Sequence, residues 1–395
     1  MMIQRERQSS VYILDGVRTA MANPFQGFRN VTVAQMAAAI ICELVSRNKI
    51  KKSLISEVIL GNAVSAGTGQ NFARQAVFLS GFPLSIPAYC VSNVCGSGLQ
   101  AVVLAMQSAL FHNTGIIVAG GAENVTRSPH MLSKDDEVAL KDKTPIDSLI
   151  YDALWCLMTG KHMGELCEDM ARQHKISRQE QDLYSLQSHQ KACAAAEQGK
   201  FQKEIVPVDV APNQIVARDE RPRRNVTIES FAGLPPGFKE KGTVTAGNSA
   251  SPCDGASAVL VASEETVKKE KLRPLAKIVA TATVAGKPED SFTVCIPAIK
   301  KCLKNCQWTV KDVDLFEISE AFAAQIILVQ KKLQIPEDKL NIWGGDIALG
   351  HALGAAGTRI LTTLMHALID QGKKKGIAGI CFGGGGAIAV AIEMV

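Results

Sequence analysis

The sequence has no large excess of either charge. Its formal net charge is +5 over 395 residues, with basic and acidic side chains interspersed, which makes nucleic acid a poor partner. A paired cysteine framework is missing too: the eleven cysteines are an odd number spread thinly over a long chain. They read as reduced thiols, and the expected compartment is cytoplasmic. No apolar run is expected to approach the length of a membrane span, so no membrane partner is expected. The run from Ile377 to Val390 is broken by Gly383-Gly384-Gly385-Gly386 and reads as paired buried strands. The first ten residues lack the apolar segment of a cleaved leader, and Ile392-Glu393-Met394-Val395 is no peroxisomal address.

What is present is the composition of a globular protein, 47% hydrophobic and 21% charged, with length enough for two or three cores. Strand-like runs at 11–14, 58–61 and 115–121 alternate with helical periodicity at 31–45, 71–79 and 99–110, which predicts an α/β layered sheet. From about Glu123 to Asn248 the texture turns polar and charged and reads as an excursion from the core. Within it, Ser177-Arg178-Gln179-Glu180 has the character of a capping box opening a helix through Glu197. Pro207, Pro212, Pro222, Pro235 and Pro236 mark extended chain. The basic run Arg221-Pro222-Arg223-Arg224 could hold a small phosphorylated ligand or be a solvated loop.

Core-type sequence returns at 256–262, and the final third repeats the plan of the first. Strands are expected at 275–284, 315–318 and 376–381, and helices at 297–305, 321–332 and from Gly350 to about Ile369. In each part a chemically reactive residue, Cys95 or His351, opens an apolar helix, and a strand with a glycine-rich end follows. The chain reads as internally duplicated, which would bring Cys95 and His351 to one shared cleft. At Ala88–Gln100 a strand runs straight into a helix with Cys95 at the joint, and the small residues at 96–98 are expected to make the turn. A helix N-terminus favours thiolate over thiol. A buried structural cysteine is the alternative for such a residue taken alone.

Seven stretches give these features a common context: Asn93-Val94-Cys95-Gly96-Ser97-Gly98, Gly120-Gly121-Ala122-Glu123-Asn124, His162-Met163-Gly164, Thr243-Val244-Thr245-Ala246-Gly247-Asn248, Ser319-Glu320-Ala321-Phe322-Ala323, Gly350-His351, and Cys381-Phe382-Gly383-Gly384-Gly385. In this order and spacing the sequence resembles the thiolase family over essentially its full length. The resemblance implies a thiolase fold of two pseudo-symmetric βαβαβαββ halves in an α/β/α/β/α layering, with an inserted loop domain that binds coenzyme A. The implied divisions are 1–123 with 249–272, 124–248, and 273–395, in a homotetramer or homodimer.

The implied reaction is acyl transfer between coenzyme A thioesters, either acetoacetyl-CoA formation from two acetyl-CoA or thiolysis of a 3-ketoacyl-CoA. CoA and acetyl-CoA are then substrates, and neither a metal nor a permanently bound cofactor is needed. By resemblance Cys95 is the nucleophile, His351 its base, and Cys381 the second acid and base. The backbone N–H groups of Cys95 and Gly383 would hold one oxyanion. His351 and a water would hold the other, with Ser319 standing where the family usually has an asparagine. His162 and Met163 match residues bordering the acyl pocket, Arg223 points to the nucleotide end of CoA, and Ser249 or Ser251 to the pantetheine. Other departures are Phe72, Val294, Ala250 and Ala352. Two other functions stay open on sequence: a ketoacyl synthase-like condensing enzyme, and a CoA-binding protein with impaired turnover.

Overall fold

In the computed structural model the described residues are 10–112, 115–134 and 143–395. The reading of a leaderless start rests on residues 1–9, which lie outside them. The first half is built from β1 (Val11–Thr19), α1 (Val33–Arg47), β2 (Ile55–Gly61), α2 (Phe72–Leu79), β3 (Ala88–Val91), α3 (Ser97–His112) and β4 (Ile116–Glu123). Between β4 and the next strand of the same half run the helices α4 (Met163–Gln173) and α5 (Arg178–Glu197). Then come β5 (Gly255–Ser263), β6 (Ala276–Ala285), α6 (Cys295–Cys306), β7 (Leu315–Ile318), α7 (Ala323–Leu333), the short α8 (Asp346–Leu349), α9 (Leu353–Asp370), β8 (Lys375–Phe382) and β9 (Gly386–Met394).

The strands form one sheet in the order β7-β8-β9-β6-β1-β5-β4-β2-β3. Reading outward from its middle, β1-β5-β4-β2-β3 and β6-β9-β8-β7 repeat the same plan: two antiparallel pairings followed by parallel ones. The parallel bridge from Phe316 to Leu340 stands where the second half would have its last strand. The halves meet edge to edge, β1 pairing antiparallel with β6 from Val11↔Ile278 to Ile13↔Ala276. The duplication predicted from sequence is thus present, with the two sheets continuous through that short ladder.

Helix placement follows from hydrophobic patterning. Every residue of α9 from Leu353 to Leu368 is buried, the signature of a helix enclosed on all sides. It packs with α3 between the two half-sheets, and their side chains share one core with β1, β4, β5, β8 and β9. α1 and α2 cover the outer face of the first half, while α6 and α7 cover that of the second. Thr32 and Gln35 cap α1 reciprocally, and Ser177 and Glu180 do the same for α5, as the sequence predicted. One expectation needs correcting. The 18-residue stretch Val94–Phe111, which includes most of α3, does reach the length and hydropathy of a membrane span. Its apolarity is explained by its place between the half-sheets.

A second correction concerns the segment read as an excursion. Leu166, Cys167, Met170 and Ala171 of α4 belong to the second half's core. Ala192 and Ala195 of α5 belong to the central one. The inward face of α5 is also polar, with Gln181, Asp182, Ser185 and Ser188 buried. Asp182 and Ser188 find partners within the interior: Asn248 Nδ2 donates to Asp182 Oδ1 at 3.0 Å and Ser188 Oγ to Glu320 Oε2 at 2.8 Å. Hydrophobic periodicity under-reads a core whose polar groups find partners inside it.

Two features bring the starts of α3 and α9 together. A Cβ on Gly121 would lie 1.9 Å from the Gly354 carbonyl oxygen, so only glycine lets β4 touch the first turn of α9. Glu123 then ties that contact, accepting from Asn62 Nδ2 at 2.7 Å, Ala63 N at 2.9 Å, Val64 N at 3.2 Å and Gly354 N at 2.8 Å. Burial pushes its carboxyl up to about 7 even though these four donors pull it down.

Candidate active site

Cys95 lies on the turn between β3 and α3, two residues before the helix begins. The small residues after it do not make the turn. Val94 does, at φ +48°, a left-handed conformation that a β-branched side chain adopts only when its surroundings impose it. Ser97 Oγ does so by accepting from Asn93 N at 2.8 Å and donating to the Val94 carbonyl at 2.6 Å. Gly96 has another purpose: a Cβ there would sit 2.6 Å from the Phe382 ring, the residue after Cys381.

His351 follows α8 on the facing half. Gly350, at φ +99°, turns the chain, and residues 251–253 strap it down. His351 N donates to the Ser251 carbonyl at 3.0 Å, and Cys253 N donates to the His351 carbonyl at 3.2 Å. Cys381 lies next to the end of β8, opposite Ala387 of β9.

These three residues line one cavity of about 320 Å³, together with Gly383, His162, Met163 and Ser249. A cavity of about 640 Å³ lined by Cys193, Phe201, Arg218 and Arg224 is larger, but it contains none of the three. His162 caps α4, its Nδ1 accepting from Gly164 N at 3.0 Å, and its ring stacks on Phe238 at 4.9 Å. Burial lowers its pKa. Phe322 packs edge-on against both Phe238 and Phe292, so aromatic rings wall one side of the cavity. Ser249 Oγ donates to the Thr245 carbonyl at 2.7 Å.

Three expected site residues lie elsewhere. Ser319 is 1% exposed and does not line the cavity. Its hydroxyl proton goes to Asp346 Oδ2 at 2.5 Å, so the donor is turned to a buried carboxylate and not into the cavity. Ser251 acts through its backbone carbonyl. Arg223 is exposed, and its backbone N donates to His189 Nδ1 at 3.2 Å.

The sequence reading missed Asp346, fully buried on α8. Its Oδ1 accepts from Arg359 Nη2 at 2.6 Å, and its Oδ2 from Ser319 Oγ and Glu320 N. Its Oδ2 also stands 3.4 Å from His351 Nδ1. The signal was a lone acid inside the apolar stretch Gly344–Leu349, because a buried carboxylate demands partners. Burial would raise its carboxyl, but Arg359 and then His351 hold it well below the usual range. Burial likewise opposes a charged His351, yet the Cys95 sulfur and then Asp346 raise its pKa above the ordinary value. Cys381 is raised well above the ordinary thiol value, first by burial and then by the neighbouring Cys295 and Cys95. The cavity thus holds one thiol beside a favoured imidazolium and a second that keeps its proton.

The model of the thiolase N-terminal domain matches residues 11–265, and that of the thiolase C-terminal domain matches 272–394. The chain belongs to the thiolase family. It is 39% identical over 390 residues to an acetyl-CoA acetyltransferase of Cupriavidus necator, covering 98% of this chain and 99% of the relative. It is 40% identical over 372 residues to a probable acetyl-CoA acyltransferase of Staphylococcus aureus, covering 93% and 94%. The crystal structure of the Bacillus anthracis acetyl-CoA acetyltransferase superimposes with a TM-score of 0.95 at 34% identity, covering 98% of this chain and 99% of that one. The layered α/β architecture of this thiolase is therefore the thiolase fold, as its sequence motifs implied.

Proposed function

We propose that this thiolase transfers acyl groups between coenzyme A thioesters through an acyl-Cys95 intermediate. The observation that carries the reading is the convergence of Cys95, His351 and Cys381, from opposite halves of the fold, on one mainly apolar cavity. The Cys95 thiolate attacks the thioester carbonyl of acetyl-CoA, a C–S bond to Cys95 forms, the bond to the CoA sulfur breaks, and CoA leaves as a thiol with the proton of the His351 imidazolium. Cys381 then passes its own proton to the neutral His351 and, as thiolate, takes one from the methyl carbon of a second acetyl-CoA. The carbanion attacks the acetyl carbonyl, the carbon–carbon bond forms, and Cys95 departs as thiolate beside His351. The proton gained by Cys381 balances the one that left with CoA. Thiolysis is the same sequence reversed. Gly383 and the backbone of Cys95 are the oxyanion donors in this reading.

CoA and acetyl-CoA enter as substrates, and the chemistry calls for no resident cofactor. We place pantetheine along Ser249 and the adenine nucleotide near Arg223, on the segment 124–248. Met163, Phe238, Phe292 and Phe322 narrow the acyl end and favour a short chain. Side-by-side thiolysis of acetoacetyl-CoA and a long-chain 3-ketoacyl-CoA tests this, with kcat/KM expected to favour the former by about tenfold or more, since each methylene excluded from a pocket is worth ~1–3 kcal/mol. Turnover of neither substrate sinks the function, and preference for the longer one sinks the assignment of the pocket's end.

The reading includes a homo-oligomer, a dimer or tetramer. β3 is a short edge strand with Tyr89 and Cys90 exposed, and Phe78, Leu79 and Leu84 are exposed nearby in sequence. Such an edge is a template for pairing with a second copy. Light scattering on the purified protein is expected to give the mass of two or four chains, and a stable monomer at micromolar concentration would refute it.

A further inference from the structure

We propose that Asp346 is a positioning residue for the nucleophile: its buried carboxylate holds His351 as the imidazolium and thereby keeps Cys95 as thiolate in the resting site. The inference rests on geometry. Asp346 Oδ2 is 3.4 Å from His351 Nδ1, and neither ring nitrogen of this buried histidine has a hydrogen bond made within the protein. The ring is therefore held electrostatically, between a carboxylate on one side and the Cys95 sulfur in the cavity.

The carboxylate is fixed by partners that leave it no freedom to turn away. Arg359 Nη2 binds Oδ1 at 2.6 Å, while Ser319 Oγ at 2.5 Å and Glu320 N at 3.0 Å bind Oδ2. The sequence feature that looked like a weakened water site, Ser319, is part of this clamp.

The other charged groups around the site do not cancel the effect. Arg359 opposes a cationic histidine, but it engages the other carboxylate oxygen and also binds Glu317 Oε1 at 2.9 Å. Burial pushes the Glu317 carboxyl up, whereas Arg359 and His351 hold Asp346 well below the usual range, so the carboxylate that faces the ring is the one kept ionised. Burial likewise raises Glu320, whose carboxylate accepts from Tyr184 Oη, Ser188 Oγ and Asn341 Nδ2. Arg221 packs against Gly350, together with Cys253. Its guanidinium donates from Nη1 to Asn23 Oδ1 at 2.7 Å. Cys381, facing the same cavity, is a protonated thiol and contributes no charge.

The sign follows directly. An opposite charge within about 4–6 Å favours the charged form of a group by ~1–3 pH units. Removing the Asp346 charge lowers the histidine's affinity for its proton. Cys95 then loses a neighbouring cation, and its thiolate forms only at higher pH.

The inference depends on the thiolase reading only for calling Cys95 the nucleophile, so the deciding readout uses no acyl-CoA, and acyl transfer is assayed separately on the same proteins. The rate of Cys95 alkylation by iodoacetamide is followed against pH, with the site resolved by peptide mass spectrometry. Asp346→Asn is expected to move the inflexion upward by about one unit or more, which lowers the rate about tenfold at a fixed pH below it. Asp346→Glu is expected to restore part of the shift. Ser319→Ala disturbs the same hydrogen bonds but keeps the charge, and is expected to keep the parent inflexion. Should Asp346→Asn fail to fold, Asp346→Ser, which leaves room for a water to accept the orphaned donors, takes its place. An unmoved inflexion in the folded Asp346 variant overturns the proposal. So does an equal shift in Ser319→Ala, which would assign the effect to packing and not to charge. Loss of acyl transfer with the inflexion unmoved would likewise mark Asp346 as structural. If acyl transfer is absent from the parent protein while the inflexion shifts, the positioning role stands and the thiolase reading falls.

Discussion

Cys95→Ala is expected to leave no acetyl group on the protein after incubation with acetyl-CoA, and to lower overall acyl transfer by on the order of 10⁴-fold or more, as removal of a covalent nucleophile does. The expectation follows from how the turn is built. Val94 is held in a left-handed conformation by the Ser97 hydroxyl, which sets Cys95 on the wall of the cavity that His351 and Cys381 share. Alanine keeps that turn and removes only the sulfur, so the fold is expected to be unchanged by circular dichroism. Intact-mass and peptide mass spectrometry decide the matter. Cys90, exposed on β3, serves as the comparison, since Cys90→Ala is expected to acetylate as the parent does. An adduct that survives in Cys95→Ala, on Cys381 or any other thiol, would assign the nucleophile elsewhere.

The sequence made the reactive residues legible because their signals are local. A strand, a cysteine, small residues and an apolar helix lie consecutively at 88–110, and the counterpart around His351 repeats the pattern. The same periodicity located α3 and α9, and the duplication predicted that their starts would share a cleft. What could not be read is what depends on neighbours distant in the chain. Nothing near Val94 announces a positive φ. The residue that would be guessed for it is glycine, and Gly96 instead makes room for a ring that arrives from residue 382.

Ser319 shows the same limit from the other side. Its place in a family motif suggested a water in the cavity, but a hydroxyl bonds to whichever acceptor is nearest, and that is Asp346, 27 residues further along. The buried polar face of α5 lies in a segment whose polar texture reads as an excursion from the core, because its partners, Glu320 and Asn248, are distant in the chain. Patterning reports where apolar groups must go. It is silent where polar groups are satisfied by one another.

Cys381→Ser is expected to separate the two half-reactions. Acetylation of Cys95 should stay within about tenfold of the parent, while condensation and thiolysis fall by on the order of 10²–10⁴-fold, the usual contribution of a positioned acid and base. Cys381 is buried next to the end of β8 with Cys295 and Cys95 nearby, and burial raises its thiol well above the ordinary value. In the resting site it therefore keeps its proton. The proposed mechanism asks it to take up and give back a proton at the methyl carbon of the second thioester, and a thiol can approach that task where a serine hydroxyl cannot. Serine is smaller by little and fits the same wall beside Gly383 and Phe382, so the pocket and the Cys95–His351 pair are left as they were. The acylation half is read from the acetyl adduct and the full reaction from acetoacetyl-CoA formation, on the same preparation. An equal fall in both halves would mean that Cys381 supports the nucleophile or the fold, and the assignment of the second proton transfer would pass to another group.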